Sequence, residues 1–363
     1  MKLKNTLYLI GCLFAAIVVG TILMLAVYNL PIDTIRNNVR KSLSIYETEN
    51  DGYYWAPWIS SSHLDNYTDS LMINEAAFLG TGSVVNDAMN NPWVNYEDLT
   101  KCESLVRSVS QDTLEDGIVV NYARYWHGFL IWLKPLLSFM TMADIRILSM
   151  CFQFTILTCL IIELYKKGGK KLVIPFGLVI LSLNPISTAL CMQYACVYSI
   201  TLIAALVIMR KKIYDSDNYW HVFLWIGIST AYFDFLTYPI VGLGINLLLM
   251  LFLKKEQLLK QLKLIIVSSF TWAVGYAGMW SGKWVVSYIL TGNNTLLEGI
   301  SSVKYRASGD STVGVDTSSV YIPPHKTHLH GHLEPASRKA RATFTETEPL
   351  CFLITPTTVD AID

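Results

Sequence analysis

Three groups of side chains have the types and spacing for chemistry. Asp65-Asn-Tyr-Thr-Asp69 runs into Ser70-Leu-Met-Ile-Asn-Glu75, so two carboxylates stand four residues apart and a third follows six residues later. If the stretch is helical, Asp65 and Asp69 share a face. A carboxylate within hydrogen-bond reach of a hydroxyl can take its proton as the oxygen attacks, and its surroundings tune its pKa to that task. The plainer alternative is that Asp65 caps the helix and Asp69 occupies its first turn, where the helix dipole favours negative charge.

The second group is Asn121-Tyr-Ala-Arg-Tyr-Trp-His-Gly128. Trp and Tyr belong at the headgroup level of a bilayer; Arg124 there can hold a phosphate bidentately, and His127 can exchange a proton near neutral pH. An aromatic belt with Arg124 on a lipid headgroup is the competing reading. The third is Asp234 in Ala231-Tyr-Phe-Asp-Phe-Leu-Thr-Tyr-Pro239, a charge inside an apolar run. Such a charge is costly in a membrane and marks a site. Arg146, Gln193 and Tyr194 stand at the matching ends of their own apolar runs, so these polar groups are expected to converge; an Asp234–Arg146 structural ion pair is the alternative.

Other patterns carry less chemistry. Lys166-Lys-Gly-Gly-Lys-Lys171 lacks the G-x-x-x-x-G-K-[ST] order of a phosphate loop and reads as a topology signal. The histidines at 325, 328, 330 and 332 lie in a sparsely apolar tail with no fixed geometry for a metal, and no metal site is expected. A divalent cation on the loop carboxylates is chemically compatible, but no cofactor is established by the sequence. No G-x-S-x-G elbow, H-E-x-x-H helix or dinucleotide fingerprint occurs. The seven cysteines are scattered, without a C-x-x-C pair, and read as small hydrophobes.

These groups must be positioned by a chain that is 52% hydrophobic and 15% charged, a balance that excludes an ordinary soluble enzyme. Its 28 basic and 28 acidic residues cancel, so no bulk basic field exists to attract nucleic acid. Residues 6–30 carry no charge, and about 20 such residues cross a hydrocarbon core as a helix. Because the run continues to Pro31 without a small-x-small site, an uncleaved anchor is expected rather than a signal peptide. Further apolar runs at 143–165, 172–187, 189–209, 220–238, 240–253 and 264–281 bring the expected number of spans to seven. Phe129–Met142, interrupted by Lys134 and Pro135, suits an interfacial helix, and Trp284–Leu290 is too short to cross alone.

Four basic clusters, at residues 2–4, 166–171, 210–212 and 254–263, fall on one side of a seven-span arrangement, which is then cytoplasmic. The expected fold is therefore an all-α polytopic membrane protein of about seven transmembrane helices with a large mixed extracytoplasmic loop after the first helix. Its parts are a cytoplasmic N-terminus and first helix (1–30), the loop with its interfacial helix (31–142), a helix bundle (143–290), and a mostly disordered extracytoplasmic tail (291–363). A loop of about 110 residues is too long for a connector and must have structure of its own.

This arrangement resembles the GT-C superfamily of membrane glycosyltransferases, which take a sugar from a polyprenyl-phosphate carrier on the outer face of a membrane. The resemblance rests on residues 1–310: one span, then a large outer loop with acidic residues, then further spans. Tyr122–Gly128 and Tyr232–Pro239 also look like segments of bacterial envelope polysaccharide proteins of this kind. It implies a base at Asp65 or Asp69, a lipid phosphate held by Arg124 with His127 or Arg146, and a groove involving Gln193 and Asp234, flanked by Lys283, Lys304 and Arg306. The implied partners are a lipid-linked sugar donor, a glycan or lipid acceptor and membrane lipids. Family members have more spans, whereas here the hydrophobic pattern stops after about Leu290; the expectation is a truncated chain or an unrelated end. A non-enzymatic flippase or export component for the same glycans is the alternative class, and a scaffold without substrate a third.

Overall fold

In the computed structural model each apolar run becomes helix, but the helix ends fall where single residues interrupt the pattern. The structure describes residues 3–111, 114, 116–234, 237–293, 295, 297, 299 and 300. Contacts divide the chain after Pro323, and every described residue belongs to the first part. The expected tail, including its four histidines, Lys304 and Arg306, lies outside the described residues except for a few positions before 301.

In chain order, α1 is Leu3–Tyr28, α2 Ile32–Arg40 and α3 Leu43–Glu49; the antiparallel hairpin of β1 (Gly52–Tyr54) and β2 (His63–Asp65) leads into α4 (Asn66–Ala76). Then come α5 (Val84–Asn90), β3 (Trp93–Asn95), α6 (Lys101–Ser110) and β4 (Ile118–Val120), with β3 and β4 antiparallel. The remainder is helical: α7 (Leu130–Leu137), α8 (Met142–Gly168), α9 (Lys170–Ser182), α10 (Pro185–Leu190), α11 (Met192–Arg210), α12 (Trp220–Phe233), α13 (Ile240–Lys254) and α14 (Leu258–Thr291).

Four helices among the described residues, α1, α8, α11 and α14, are long and apolar enough to cross a membrane. The runs at 172–187, 220–238 and 240–253 form shorter apolar helices of 13, 14 and 15 residues. Physical punctuation sets their ends. Asn184, in the left-handed region at φ 50°, and Pro185 stop α9 and start α10, and Asp234 is the C-terminal cap of α12. Trp284–Leu290 is not a separate element: it continues 264–281 in one 34-residue helix. At 1.5 Å per residue α14 is about 50 Å long, so it outruns a hydrocarbon core of about 30 Å.

The expected interfacial helix also differs. α7 is short and packs inward, with Leu130, Leu133, Lys134 and Leu137 buried. Lys134 Nζ donates to the Ala76 carbonyl at 3.0 Å and lies 4.6 Å from the centre of the Tyr28 ring. Two acceptors for an otherwise costly buried cation make this position a tie between α1, α4 and α7. Helices α12 and α14 form the most extensive helix pair; a Cβ on Gly227 would run into the Trp272 carbonyl oxygen and one on Gly275 into that of Leu224. Small residues at the crossing let the two backbones touch.

Residues 31–141 form a docked domain, not a mobile connector. Met142 N donates to Ser42 Oγ at 2.9 Å, Gly128 N to the Tyr232 carbonyl at 2.9 Å, and Lys283 Nζ to Asn91 Oδ1 at 3.1 Å, so the domain grips α8, α12 and α14. Three of the basic clusters, at 166–171, 210–212 and 254–263, stand at the other helix ends: Lys167 lies 4.5 Å from the Tyr214 ring, Arg210 3.7 Å from Glu163, and Lys254 donates to the Ser216 carbonyl.

Candidate functional site

Helix α4 carries acidic groups at both ends, and each end builds a different site. At its start Asp65 is the N-cap. Its carboxylate accepts from Thr68 N at 3.1 Å and Thr68 Oγ1 at 3.0 Å, and it is half-buried. Burial pushes this carboxyl above its usual range while the two Thr68 bonds pull it back.

Asp69, one turn on, is fully buried, and both of its oxygens are engaged across the domain boundary. Oδ2 accepts from Met192 N and Oδ1 from Gln193 N, each at 2.9 Å, with Cys191 Sγ 3.4 Å from Oδ1. It thus caps the first turn of α11 from 122 or more residues away, meeting N–H groups that no preceding carbonyl satisfies. Burial raises its pKa to about 6, against the pull of those N–H donors and Arg146. Gln193 contributes its backbone here, while its side-chain Oε1 is buried with no partner among the described residues.

Arg146 completes this end of α4. It forms a bidentate pair with Glu49 at 2.7 and 2.8 Å and reaches Asn66 Oδ1 at 3.2 Å; Asn66 in turn donates to Glu49 at 3.0 Å. The considered Asp234–Arg146 pair is therefore corrected: the domain supplies the partner, Glu49, from α3. Asp234 is buried at the end of α12, its backbone N donating to the Thr230 carbonyl at 2.9 Å, within electrostatic reach of Tyr238 and Cys196.

At the other end of α4, about 15 Å along a helix of this rise, Glu75 meets His127. His127 Nδ1 is 2.9 Å from Glu75 Oε2, and both side chains have no solvent exposure. The Tyr122 carbonyl, 3.0 Å from Nε2, can only accept, so Nε2 carries a hydrogen. A neutral ring then offers Nδ1 as an acceptor, and two acceptors at 2.9 Å repel unless a proton lies between them. Burial pushes Glu75 well above the carboxylate range and His127 well below the imidazole range. Burial thus disfavours charge on both members of the pair, and Nδ1 and Oε2 stand close enough to share one proton. Glu75 Oε1 has no hydrogen-bond partner among the described residues, which a neutral carboxyl tolerates better than a carboxylate does.

Lys283 of α14 faces the same pair electrostatically and is held by Asn91 Oδ1 at 3.1 Å and the Ala88 carbonyl at 3.4 Å. His127 itself stands at φ 53°, an uncommon conformation for a non-glycine residue. Its neighbour Gly128 permits this path, since a Cβ there would lie 2.5 Å from the Tyr232 carbonyl oxygen. Arg124 stacks over Tyr122 at 4.9 Å, and its carbonyl accepts from the indoles of Trp280 and Trp284 at 2.8 and 2.9 Å.

The structure thus groups Asp65, Asp69, Arg146 and Gln193 at one end of α4, and Arg124 and His127 at the other. Glu75, legible in the sequence only as a third carboxylate after Asp65 and Asp69, and Lys283, expected only to flank a groove, are central to the second group. Lys283 had a legible signal, a charge within an apolar run, the same signal that singles out Asp234. Glu75 had no such signal. Among the described residues no three His, Cys, Asp or Glu side chains come together as a metal-binding group. Comparisons with protein-family models, curated proteins and solved structures give no match for this chain.

Proposed function

We propose that this chain is a multi-pass membrane glycosyltransferase that moves a sugar from a polyprenyl-phosphate carrier to a glycan or lipid acceptor, with Asp65 as the base. The observation that carries the reading is the contrast between the two aspartates: Asp69 is enclosed with both oxygens occupied, whereas the half-buried Asp65 carboxylate, among the described residues, bonds only to Thr68. In the transfer, Asp65 takes the acceptor hydroxyl proton as that oxygen attacks the anomeric carbon. The bond from that carbon to the phosphate oxygen breaks, and the phosphate keeps the electron pair. Arg146, joined to the start of α4 through Asn66, supplies the cation of this network. Arg124 and His127 belong to the far end of the helix and take no part in this proton transfer.

The seven-span, cytoplasmic-N-terminus arrangement in a cell membrane belongs to the same proposal. It is supported by the separation of the domain-bearing helix ends from the basic ends. The export-component reading is favoured by one observation, the fully buried Glu75–His127 pair beside Lys283, because buried groups with perturbed titration cluster at functional sites. Transfer of labelled sugar from a polyprenyl-phosphate donor by the purified protein in lipid decides between them. Loss of transfer in Asp65→Asn with retained folding supports the enzyme. Absence of transfer by the parent, together with movement of the donor between leaflets that Asp234→Asn abolishes, overturns it.

A further inference from the structure

Residues 52–62, Gly-Tyr-Tyr-Trp-Ala-Pro-Trp-Ile-Ser-Ser-Ser, contain no charge, although they sit in the otherwise polar domain. Among the described residues of 31–141, five of the seven large exposed hydrophobic side chains lie between Tyr53 and Tyr67, and Trp58 is 84% exposed. The connection is nevertheless well held. Ser62 Oγ donates to the Ala56 carbonyl at 2.7 Å, Ile59 N donates to the same carbonyl at 2.9 Å, and β1 and β2 close the hairpin on either side. A cluster of large exposed apolar side chains, unlike single scattered ones, marks a surface that meets a partner or a membrane.

The turn is also fixed in height. Trp55 Nε1 donates to Ser187 Oγ at 3.0 Å, Ser187 Oγ to the Ser61 carbonyl at 2.9 Å, and Asn184 Nδ2 to that carbonyl at 2.7 Å. Asn184 ends the apolar helix α9, whose Ile174, Leu178 and Leu181 are 56%, 63% and 67% exposed. Leu181 stands about one helical turn, roughly 5 Å, before Asn184. The tip is therefore tied to the place where an outward-facing apolar surface stops, the depth at which Trp and Tyr are favoured in bilayers.

We infer that the Tyr53–Ile59 turn is a lipid anchor, with Trp58 and Ile59 entering the headgroup and upper acyl region of the leaflet at the Asn184 end. The partner is the bilayer itself, and zwitterionic lipid suffices because the turn carries no charge. Asp65 pairs with Gly52 across the hairpin, so the anchor also sets the height of that carboxylate above the lipid. The inference rests on the membrane reading of the apolar helices but not on any activity.

The experiment uses the full chain in phosphatidylcholine vesicles and takes the fluorescence difference between the parent and Trp58→Phe. The expected difference signal is quenched by brominated phosphatidylcholine and spared by aqueous iodide. A signal quenched by iodide and untouched by brominated lipid overturns the anchor, because Trp58 then faces water. Trp225, 43% exposed on α12, supplies the control through Trp225→Phe. Its quenching by brominated lipid reports the membrane reading separately, so a failure of that reading is distinguishable from a failure of the anchor. Both positions are exposed enough for the Phe variants to fold.

Discussion

Replacing Arg146 by Met tests whether this cation is a clamp or a substrate ligand. The guanidinium holds Glu49 through two bonds of 2.7 and 2.8 Å and Asn66 through one of 3.2 Å, with only 10% and 16% of the Arg146 and Glu49 side chains exposed. Removing one partner of such a pair strands the other charge, at a cost of about 3–5 kcal/mol. Converting both to apolar groups, Arg146→Met with Glu49→Leu, removes the stranded charge, and such replacements are often neutral or better. The double variant is therefore expected to recover most of the loss, a coupling of about 2–3 kcal/mol, within the range measured for residues in one network. At about 2 °C per kcal/mol the single variant melts roughly 6–10 °C below the parent. The assay is thermal unfolding in lipid nanodiscs, with donor binding measured on the same samples. Equal melting of the parent and the single variant refutes the clamp. Recovery of stability without recovery of donor binding shows that Arg146 also contacts the substrate.

The two aspartates should separate. Asp65→Asn keeps α4 intact, because Asn and Asp cap helices equally well to within about 0.5 kcal/mol, and loses transfer. Asp69→Ala leaves the Met192 and Gln193 amides without their acceptor, costs about 2–4 kcal/mol, and speeds hydrogen exchange at those two amides; unchanged exchange would refute the cap. Glu75 and His127 should give opposite pH slopes in unfolding. The Glu75 contribution, with its pKa raised by burial, is fully present below its ordinary value of 4.5 and is lost as pH rises through the shifted one. That of His127, with its pKa lowered, is present above 6.5 and is lost as pH falls through the shifted value. Glu75→Gln should flatten the first slope, and an unchanged slope in that variant would refute the Glu75 contribution. Gly128→Ala should destabilise by about 3 kcal/mol or more through its clash with Tyr232, whereas Gly244→Ala, with open space around it, should be neutral or gain up to about 1 kcal/mol. Equal melting of the two variants would contradict the close approach.

The positions of the helices were largely legible in the sequence because burial in an apolar medium and helix breaking are local properties. Residues 6–30 lack charge, Asn184-Pro185 falls near the end of the 172–187 run, and Asp65 stands three residues before Thr68, the spacing of an N-cap. Each reading needs only neighbours within a turn or two. The lengths of α12, α13 and α14 were less legible, since hydropathy does not show whether a boundary residue such as Asp234 caps a helix or Lys283 continues one.

The partners of the buried polar groups were decided by tertiary packing. Asp69 meets the start of α11, Arg146 finds Glu49 rather than Asp234, and Glu75 is brought to His127 and Lys283 by the docking of 31–141 on α8, α12 and α14. These pairings join residues tens to hundreds of positions apart. A buried charge must find some partner, and composition states that requirement; which one it finds depends on the close approaches at Gly128, Gly227 and Gly275 that bring the surfaces together.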